Sequence, residues 1–123
     1  MKIGIILILL LTCTITYAEN IYKSFVVTSE EFNRYKNNYP NLQLGMSPKE
    51  VVLLLDAPNI KKNLMTKKGK DIGIEYRYII RRIHPNLVNE KKDKYINLYF
   101  DTNNKLKYAV ATNLEGFKTI GSP

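Results

Sequence analysis

Residues 44–58 read LGMSPKEVVLLLDAP, a stretch that carries signals for a short helix at both of its ends. Ser47 is the expected N-cap, because its hydroxyl can accept a hydrogen bond from a first-turn backbone N–H that has no helical partner. Pro48 suits the first helical position, and Glu50 can complete a capping box with Ser47. Pro58 prevents the helix from continuing, so the stretch predicts one short helix.

An apolar face and a backbone bend accompany these end signals. Val51, Leu54 and Leu55 recur at i, i+3 and i+4, which is typical of a helix that packs against a core. Gly45 permits a bend on entry that other residues resist. A capping box alone is common, whereas the whole run from bend to stop is far more specific.

A second helix is predicted before this one. Thr28 is its expected cap, Glu31 follows three residues later, and three aromatic side chains recur at i, i+3 and i+7. This aromatic stripe favours core packing over a binding role. Its members are Phe32, Tyr35 and Tyr39.

Three strands are predicted after the helices. The clearest one alternates with a period of two from residue 72 to residue 80, and two shorter strands begin near residues 95 and 106. Residues 59–71 are predicted as a basic loop, or as a loop that holds a short strand around Leu64 and Met65. The side chains expected to face inward are Ile72, Ile74, Tyr76, Tyr78, Ile80, Ile96, Leu98, Phe100, Leu106, Tyr108 and Val110.

These elements predict an α+β fold in which two N-terminal helices pack on a three-stranded antiparallel meander, in the order α-α-β-β-β. Both helices are expected on one face of the sheet. That face is predicted to hold Ile74, Tyr76, Leu98, Phe100 and Leu106.

The helix motif resembles that of the BamE family, also called SmpA/OmlA domains, which are small outer-membrane lipoproteins of the β-barrel assembly machinery. The resemblance extends over residues 28–112 and includes a Leu-x-Phe-Asp-x-Asn hairpin at Leu98–Asn103. The family usually has glycine where this chain has Asp56. The resemblance implies contact with a periplasmic partner lipoprotein and with phosphatidylglycerol. The matching motif residues are Gly45, Met46, Ser47, Glu50, Val51, Leu55 and Pro58.

The N-terminus predicts export. Lys2 precedes an apolar run too short to span a membrane comfortably, and Ala18 is the expected cleavage site of a signal peptide. An uncleaved N-terminal anchor is one alternative. Lipidation at Cys13 is another, but Thr12 is a poor substitute for the small residue that normally precedes a lipidated cysteine. A soluble periplasmic product is therefore favoured over one anchored at the periplasmic face of the outer membrane.

Removal of residues 1–18 lowers the formal net charge from +8 to +7, since Lys2 is the only charged residue in that segment. The rest is divided into an arm at 19–27, one domain at 28–112 and an irregular tail at 113–123. Cys13 is the only cysteine, so no disulfide and no thiol chemistry are expected after cleavage.

No motif in the sequence predicts catalysis. His84 is the only histidine and lies beside a proline in a polar segment, without the partners that a metal or a catalytic triad requires. Lys68-Gly69-Lys70 lacks the other elements of a phosphate-binding loop. The chain is therefore predicted to be a non-enzymatic protein without a metal or a cofactor.

Two surfaces are candidates for binding. Arg77, Ile79, Tyr95 and Tyr99 are predicted to cluster on the solvent side of the sheet, and exposed aromatic residues beside arginine are typical of binding hot spots. The other interpretation is that these are half-covered tyrosines of an open sheet.

The second surface is basic and includes residues 81–94. Anionic lipid headgroups, lipopolysaccharide or an acidic protein surface would be its partners in the envelope, and a solvated loop that aids solubility is the other interpretation. Its candidate contacts are Lys61, Lys62, Lys67, Lys68 and Lys70.

The leading functional hypothesis is an exported scaffold that resembles BamE and supports outer-membrane protein assembly through partner proteins and anionic lipid. The alternative is a soluble periplasmic or secreted inhibitor or binding module on the same fold, because fold does not determine function. A sheet that carries tyrosine and arginine also suits single-stranded nucleic acid. The predicted signal peptide argues against that third hypothesis, since export removes the usual substrate.

Overall fold

The fold consists of two α-helices and six strands in the part of the chain that the computed structural model describes, residues 25–83 and 93–123. All strand pairs are antiparallel. In chain order, the elements are β1 (Phe25–Val26), α1 (Ser29–Asn38), a 3-10 turn (Tyr39–Asn41), α2 (Pro48–Leu55), β2 (Ile60–Met65), β3 (Asp71–Arg82), β4 (Lys94–Phe100), β5 (Leu106–Thr112) and β6 (Ile120–Gly121).

The central strand of the sheet is β3, the longest one. It pairs along one edge with β4, while β1 and β2 share its other edge, β2 beside its beginning and β1 beside its end. The sheet then continues from β4 to β5 and from β5 to β6. This order leaves β2 with β3 as its one partner among the described strands.

The α+β class is as predicted, but the three-stranded meander is wrong, because the sheet has six strands in the described residues. The additional strands lie in the segments assigned to an arm, a basic loop and a tail, and β2 is longer than the short strand around Leu64 and Met65 that was the alternative for the loop. With two residues each, β1 and β6 are too short to show an alternating pattern. β2 has the sequence IKKNLM, which shows no regular alternation of apolar and polar residues, since most of its side chains are exposed.

The face assignment predicted for the third strand is also wrong, because the pairing of β4 with β5 is irregular. Tyr99 pairs with Tyr108, whereas Phe100 pairs with Leu106, so Lys107 is an extra residue in β5. Leu106 therefore lies on the helix side as predicted, but Tyr108 points to the opposite face. Val110 follows Tyr108 to that face by strand alternation.

Both helices begin with the predicted caps. The Thr28 hydroxyl accepts a hydrogen bond from the Glu31 N–H at 3.1 Å, and the Ser47 hydroxyl accepts one from the Glu50 N–H at 3.2 Å. The Ser47 hydroxyl also donates to the Glu50 carboxylate at 3.2 Å. The helix starts are therefore confirmed.

The segment before α2 is tied to the sheet. The Gly45 N–H donates to the Leu106 carbonyl at 2.8 Å, and the Leu106 N–H donates to the Met46 carbonyl at 2.7 Å. Gly45 has φ +90°, a conformation that favours glycine. These bonds direct the apolar face of α2 onto the sheet, where Val51 and Leu55 are fully buried.

The core lies between the helices and one face of the sheet, and the C-terminal segment closes it. Tyr35 of α1 packs edge-on against Tyr78 of β3, with ring centroids 5.7 Å apart. Tyr39 packs against Phe117 at 5.1 Å, and its hydroxyl donates to the Lys118 carbonyl at 2.7 Å. Burial, followed by the nearby Tyr108 ring, raises the pKa of Tyr39 to about 12. Core packing of the aromatic stripe is thus confirmed at Tyr35 and Tyr39.

The C-cap of α2 has an uncommon backbone. Asp56 adopts φ +64° and ψ −175°, a region occupied almost only by glycine. Its carbonyl accepts a hydrogen bond from the Tyr78 hydroxyl at 2.8 Å, and its carboxylate forms an ion pair with Arg34. A core tyrosine and a residue of α1 therefore both hold this turn.

Candidate functional site

The candidate site is the sheet face turned away from the helices, called the outer face below. Its side chains follow from the strand register, because partners at paired positions of antiparallel strands project to the same side. Arg77 pairs with Asn97, Glu75 with Tyr99 and Ile79 with Tyr95. The outer face comprises Ile60, Lys62, Glu75, Arg77, Ile79, Tyr95, Asn97, Tyr99, Tyr108, Val110 and Thr112.

Arg77 is the centre of this face and is held by three neighbours. Its Nε donates to Asn97 Oδ1 at 2.9 Å, and its Nη2 donates to Glu75 Oε1 at 3.3 Å. Its guanidinium carbon lies 4.8 Å from the centroid of the Tyr95 ring, within the range of a cation–π contact. The guanidinium is therefore fixed in direction while the side chain stays 30% exposed.

Two tyrosines extend the cluster across β4 and β5. The rings of Tyr99 and Tyr108 are stacked, with centroids 5.4 Å apart. Asn97 Nδ2 donates to the Tyr99 hydroxyl at 3.5 Å, a long hydrogen bond. Burial, followed by the Glu75 carboxylate, raises the pKa of the Tyr99 hydroxyl.

Two polar residues of the outer face are almost as buried as the core. Glu75 is 8% exposed and Asn97 is 6% exposed, although both lie on the face turned away from α1 and α2. Both are partnered through Arg77, which supplies the hydrogen bonds that buried polar groups require. The outer face thus carries a preformed polar network under a partly exposed aromatic layer.

Hollows lie at both ends of the network. A small cleft of about 50 Å³ is lined by Ile60, Arg77, Ile79, Arg81, Arg82, Asp93 and Tyr95. At the other end, a groove of about 360 Å³ is lined by Leu64, Ile72, Tyr99, Phe100, Asp101, Lys107, Tyr108 and Pro123. The outer face therefore offers a ligand two recesses in addition to its polar groups.

The four residues predicted for partner binding, Arg77, Ile79, Tyr95 and Tyr99, lie together on the outer face, and each is half-buried. Tyr108 and Asn97 also belong to this face but were not predicted as site residues. Tyr108 was expected to face inward, and the extra residue in β5 turns it to this side. Asn97 lies two residues from Tyr95 and two from Tyr99, and this spacing in a strand could have identified it as a member of the site.

The five predicted lysine contacts share a sheet edge rather than one face. Lys61 and Lys62 belong to β2 and alternate between the two sides, and the other three lie in the hairpin connection to β3. Lys61 Nζ lies 5.8 Å from the Tyr76 ring centroid on the helix side. All five are exposed, and none forms an ion pair within residues 25–83 and 93–123. His84 and the acidic and basic residues at 90–92 lie outside the described residues.

Comparison of the chain with family models, with curated proteins and with solved structures finds no match. Function is therefore inferred from the outer face and from the motif at residues 44–58. In the part of the chain that the structure describes, His, Cys, Asp and Glu side chains form no group of three or more that could hold a metal ion. No helix among the same residues combines the length and the apolar character needed to cross a membrane.

Proposed function

We propose that the chain is a non-enzymatic protein of the cell envelope whose outer face binds a partner protein. The observation that carries the proposal is the Arg77 network, a fixed guanidinium surrounded by half-buried aromatic rings on the sheet face turned away from α1 and α2. Tyrosine and arginine dominate the binding energy of many protein interfaces.

Preorganisation supports this use of the outer face. Binding normally requires flexible side chains to be ordered, at about 0.5–1.5 kcal/mol for each one immobilised. Arg77 already has two hydrogen bonds and a ring contact in the free chain, and the Tyr99 and Tyr108 rings already stack on each other. A partner that docks here would therefore lose little free energy in ordering them.

The proposed partner is a component of the machinery that assembles outer-membrane β-barrels. The support is the resemblance of residues 28–112 to the BamE family, together with the predicted signal peptide. Asp56 adds to this support, because the family usually has glycine there and the Asp56 backbone adopts a conformation that favours glycine. On this proposal, the chain acts as an accessory scaffold.

The test is site-specific photo-cross-linking in the native envelope. A photoreactive amino acid replaces Ile79 on the outer face, and the matched control replaces Leu53, an aliphatic residue of α2 that is 86% exposed. Mass spectrometry then identifies the captured proteins. We expect a barrel-assembly component at position 79 and none at position 53.

Two results would contradict the proposal in different ways. Equal capture at both positions, or no capture at position 79, would show that the outer face is not the interface. Capture of a soluble enzyme at position 79 would keep the interface but replace the scaffold function with that of an inhibitor, the alternative that the weak lipidation signal at Cys13 favours.

A further inference from the structure

We propose that the open edge of β2 binds an extended acidic segment of another protein, which adds a strand to the sheet. This edge borders the outer face, with which β2 shares Ile60 and Lys62, but strand addition does not depend on the proposed function. Addition of a strand supplies main-chain hydrogen bonds for affinity, while side-chain positions on the two sides supply specificity.

The backbone of β2 provides the template. Its six residues, Ile60–Met65, pair with β3 and with no other strand in the described part of the chain. At about 3.3 Å per residue, this edge is on the order of 20 Å long. A strand that pairs on one side leaves alternate N–H and C=O groups directed away from the sheet, where another strand can use them.

The charge of this edge selects the partner. Five exposed lysines lie within ten residues, and none forms an ion pair within residues 25–83 and 93–123. The nearby Glu75 carboxylate is occupied by Arg77, and the Asp71 carboxylate accepts a hydrogen bond from the Gly73 N–H at 3.1 Å. The edge is therefore strongly basic and complementary to an acidic segment.

The two sides of β2 differ in chemistry, which predicts the pattern of the segment. On the outer side, Ile60 and Leu64 each line a hollow of the outer face. On the helix side, Lys61 lines a groove of about 340 Å³ next to Ser47 and Pro48 at the start of α2. Lys62 lies between Ile60 and Leu64 on the outer side, so acidic side chains suit both sides of an added strand and apolar side chains suit the outer side.

The same lysines disfavour two other occupants. Pairing of β2 with the β2 of a second copy would bring lysines of both copies together, and like charges on adjacent strands are destabilising. An anionic membrane would use the lysine charges but leaves the open backbone groups without partners. An acidic extended segment satisfies both features.

The test uses the full chain as recovered after export and a fluorescent decapeptide in which Glu alternates with Val. Control peptides replace Glu with Lys, or carry a methyl group on every backbone nitrogen. We expect the Glu–Val peptide to bind at least about tenfold more tightly than either control. We also expect it to slow amide hydrogen exchange within residues 60–65.

Protein variants provide the matched comparison. Lys61→Glu with Lys62→Glu should weaken peptide binding by about tenfold, whereas the equally charged pair Lys36→Glu with Lys105→Glu should change it less than about twofold. Lys36 and Lys105 are exposed lysines outside β2.

Any of four results would overturn the inference. These are no peptide binding, binding that leaves exchange at residues 60–65 unchanged, and equal binding of the N-methylated peptide. The fourth is slowed exchange caused only by anionic vesicles or by a higher protein concentration, which would assign the edge to lipid or to a second copy.

Discussion

The Asp56→Gly variant is expected to be more stable than Asp56→Ala, the reverse of the order found at ordinary positions. Asp56 has φ +64° and ψ −175°, where a residue with a Cβ is strained by about 1–3 kcal/mol. Glycine loses more backbone entropy on folding than alanine, which offsets about 0.5–1 kcal/mol. The free energy of unfolding should therefore favour glycine by roughly 1 kcal/mol, and by at most about 2.5 kcal/mol.

The assay is urea unfolding followed by circular dichroism, with the free energy obtained by linear extrapolation. Asp56→Asn is the control, because it keeps a similar side-chain shape and removes the carboxylate that pairs with Arg34. The two side chains are 49% and 62% exposed, so this pair should contribute less than about 1 kcal/mol. The Tyr78 hydrogen bond to the Asp56 carbonyl is retained in all three variants.

The result that would refute this reasoning is an Asp56→Ala protein at least as stable as Asp56→Gly. It would mean that the turn after α2 does not hold residue 56 in the conformation described here. A large loss in Asp56→Asn, on the order of 2 kcal/mol or more, would instead show that the Arg34 ion pair is stronger than exposed pairs usually are.

Three further predictions concern the core and the outer face. Gly73→Ala should destabilise the fold by about 2 kcal/mol or more in urea, because an added Cβ would overlap the Phe100 carbonyl oxygen and Gly73 has φ +139°; unchanged stability would contradict this expectation. Arg77→Met should lower the free energy of unfolding by about 1–3 kcal/mol, because it leaves the Glu75 carboxylate buried without its partner. Adding Glu75→Gln should restore part of this loss, and an equal loss in the single and the double variant would argue against the network. An unfolded tyrosine ionises near pH 10, whereas the pKa of Tyr39 is raised to about 12 in the fold, so stability should be full below pH 10 and fall up to about pH 12. Urea unfolding at several pH values should show that the free energy of unfolding falls less with pH in Tyr39→Phe than in the unaltered chain. An equal fall in both would show that Tyr39 does not cause it.

The parts of the fold that the sequence predicts are those with strong local signals. Short motifs indicate the caps at Thr28 and Ser47, and both helices begin where those motifs predict. The long alternation in β3 fixes which side chains face the helices from Ile74 onward, whereas Ile72, which was expected to face inward, is 50% exposed and lines the groove beside Tyr99. That alternation also brings Arg77 and Ile79 to the same face as Tyr95 and Tyr99.

The parts that the sequence did not predict depend on pairing between distant segments. An extra residue at Lys107 turns Tyr108 to the outer face, and the sequence does not mark it because the local pattern there continues without interruption. β1 and β6 exist only through their partners, since two residues cannot form a pattern of their own. The Arg77 contact to Asn97 likewise requires the register of β3 against β4.

Quantitative co-purification from the native envelope tests whether the outer face binds a partner protein. The chain carrying Ile79→Asp is compared with the chain carrying Leu53→Asp, which places the same charge on the exposed side of α2. We expect the chain carrying Ile79→Asp to recover at least about tenfold less partner than the unaltered chain. The chain carrying Leu53→Asp should recover the same amount as the unaltered chain. Equal recovery with both variants, at unchanged folding, would contradict it.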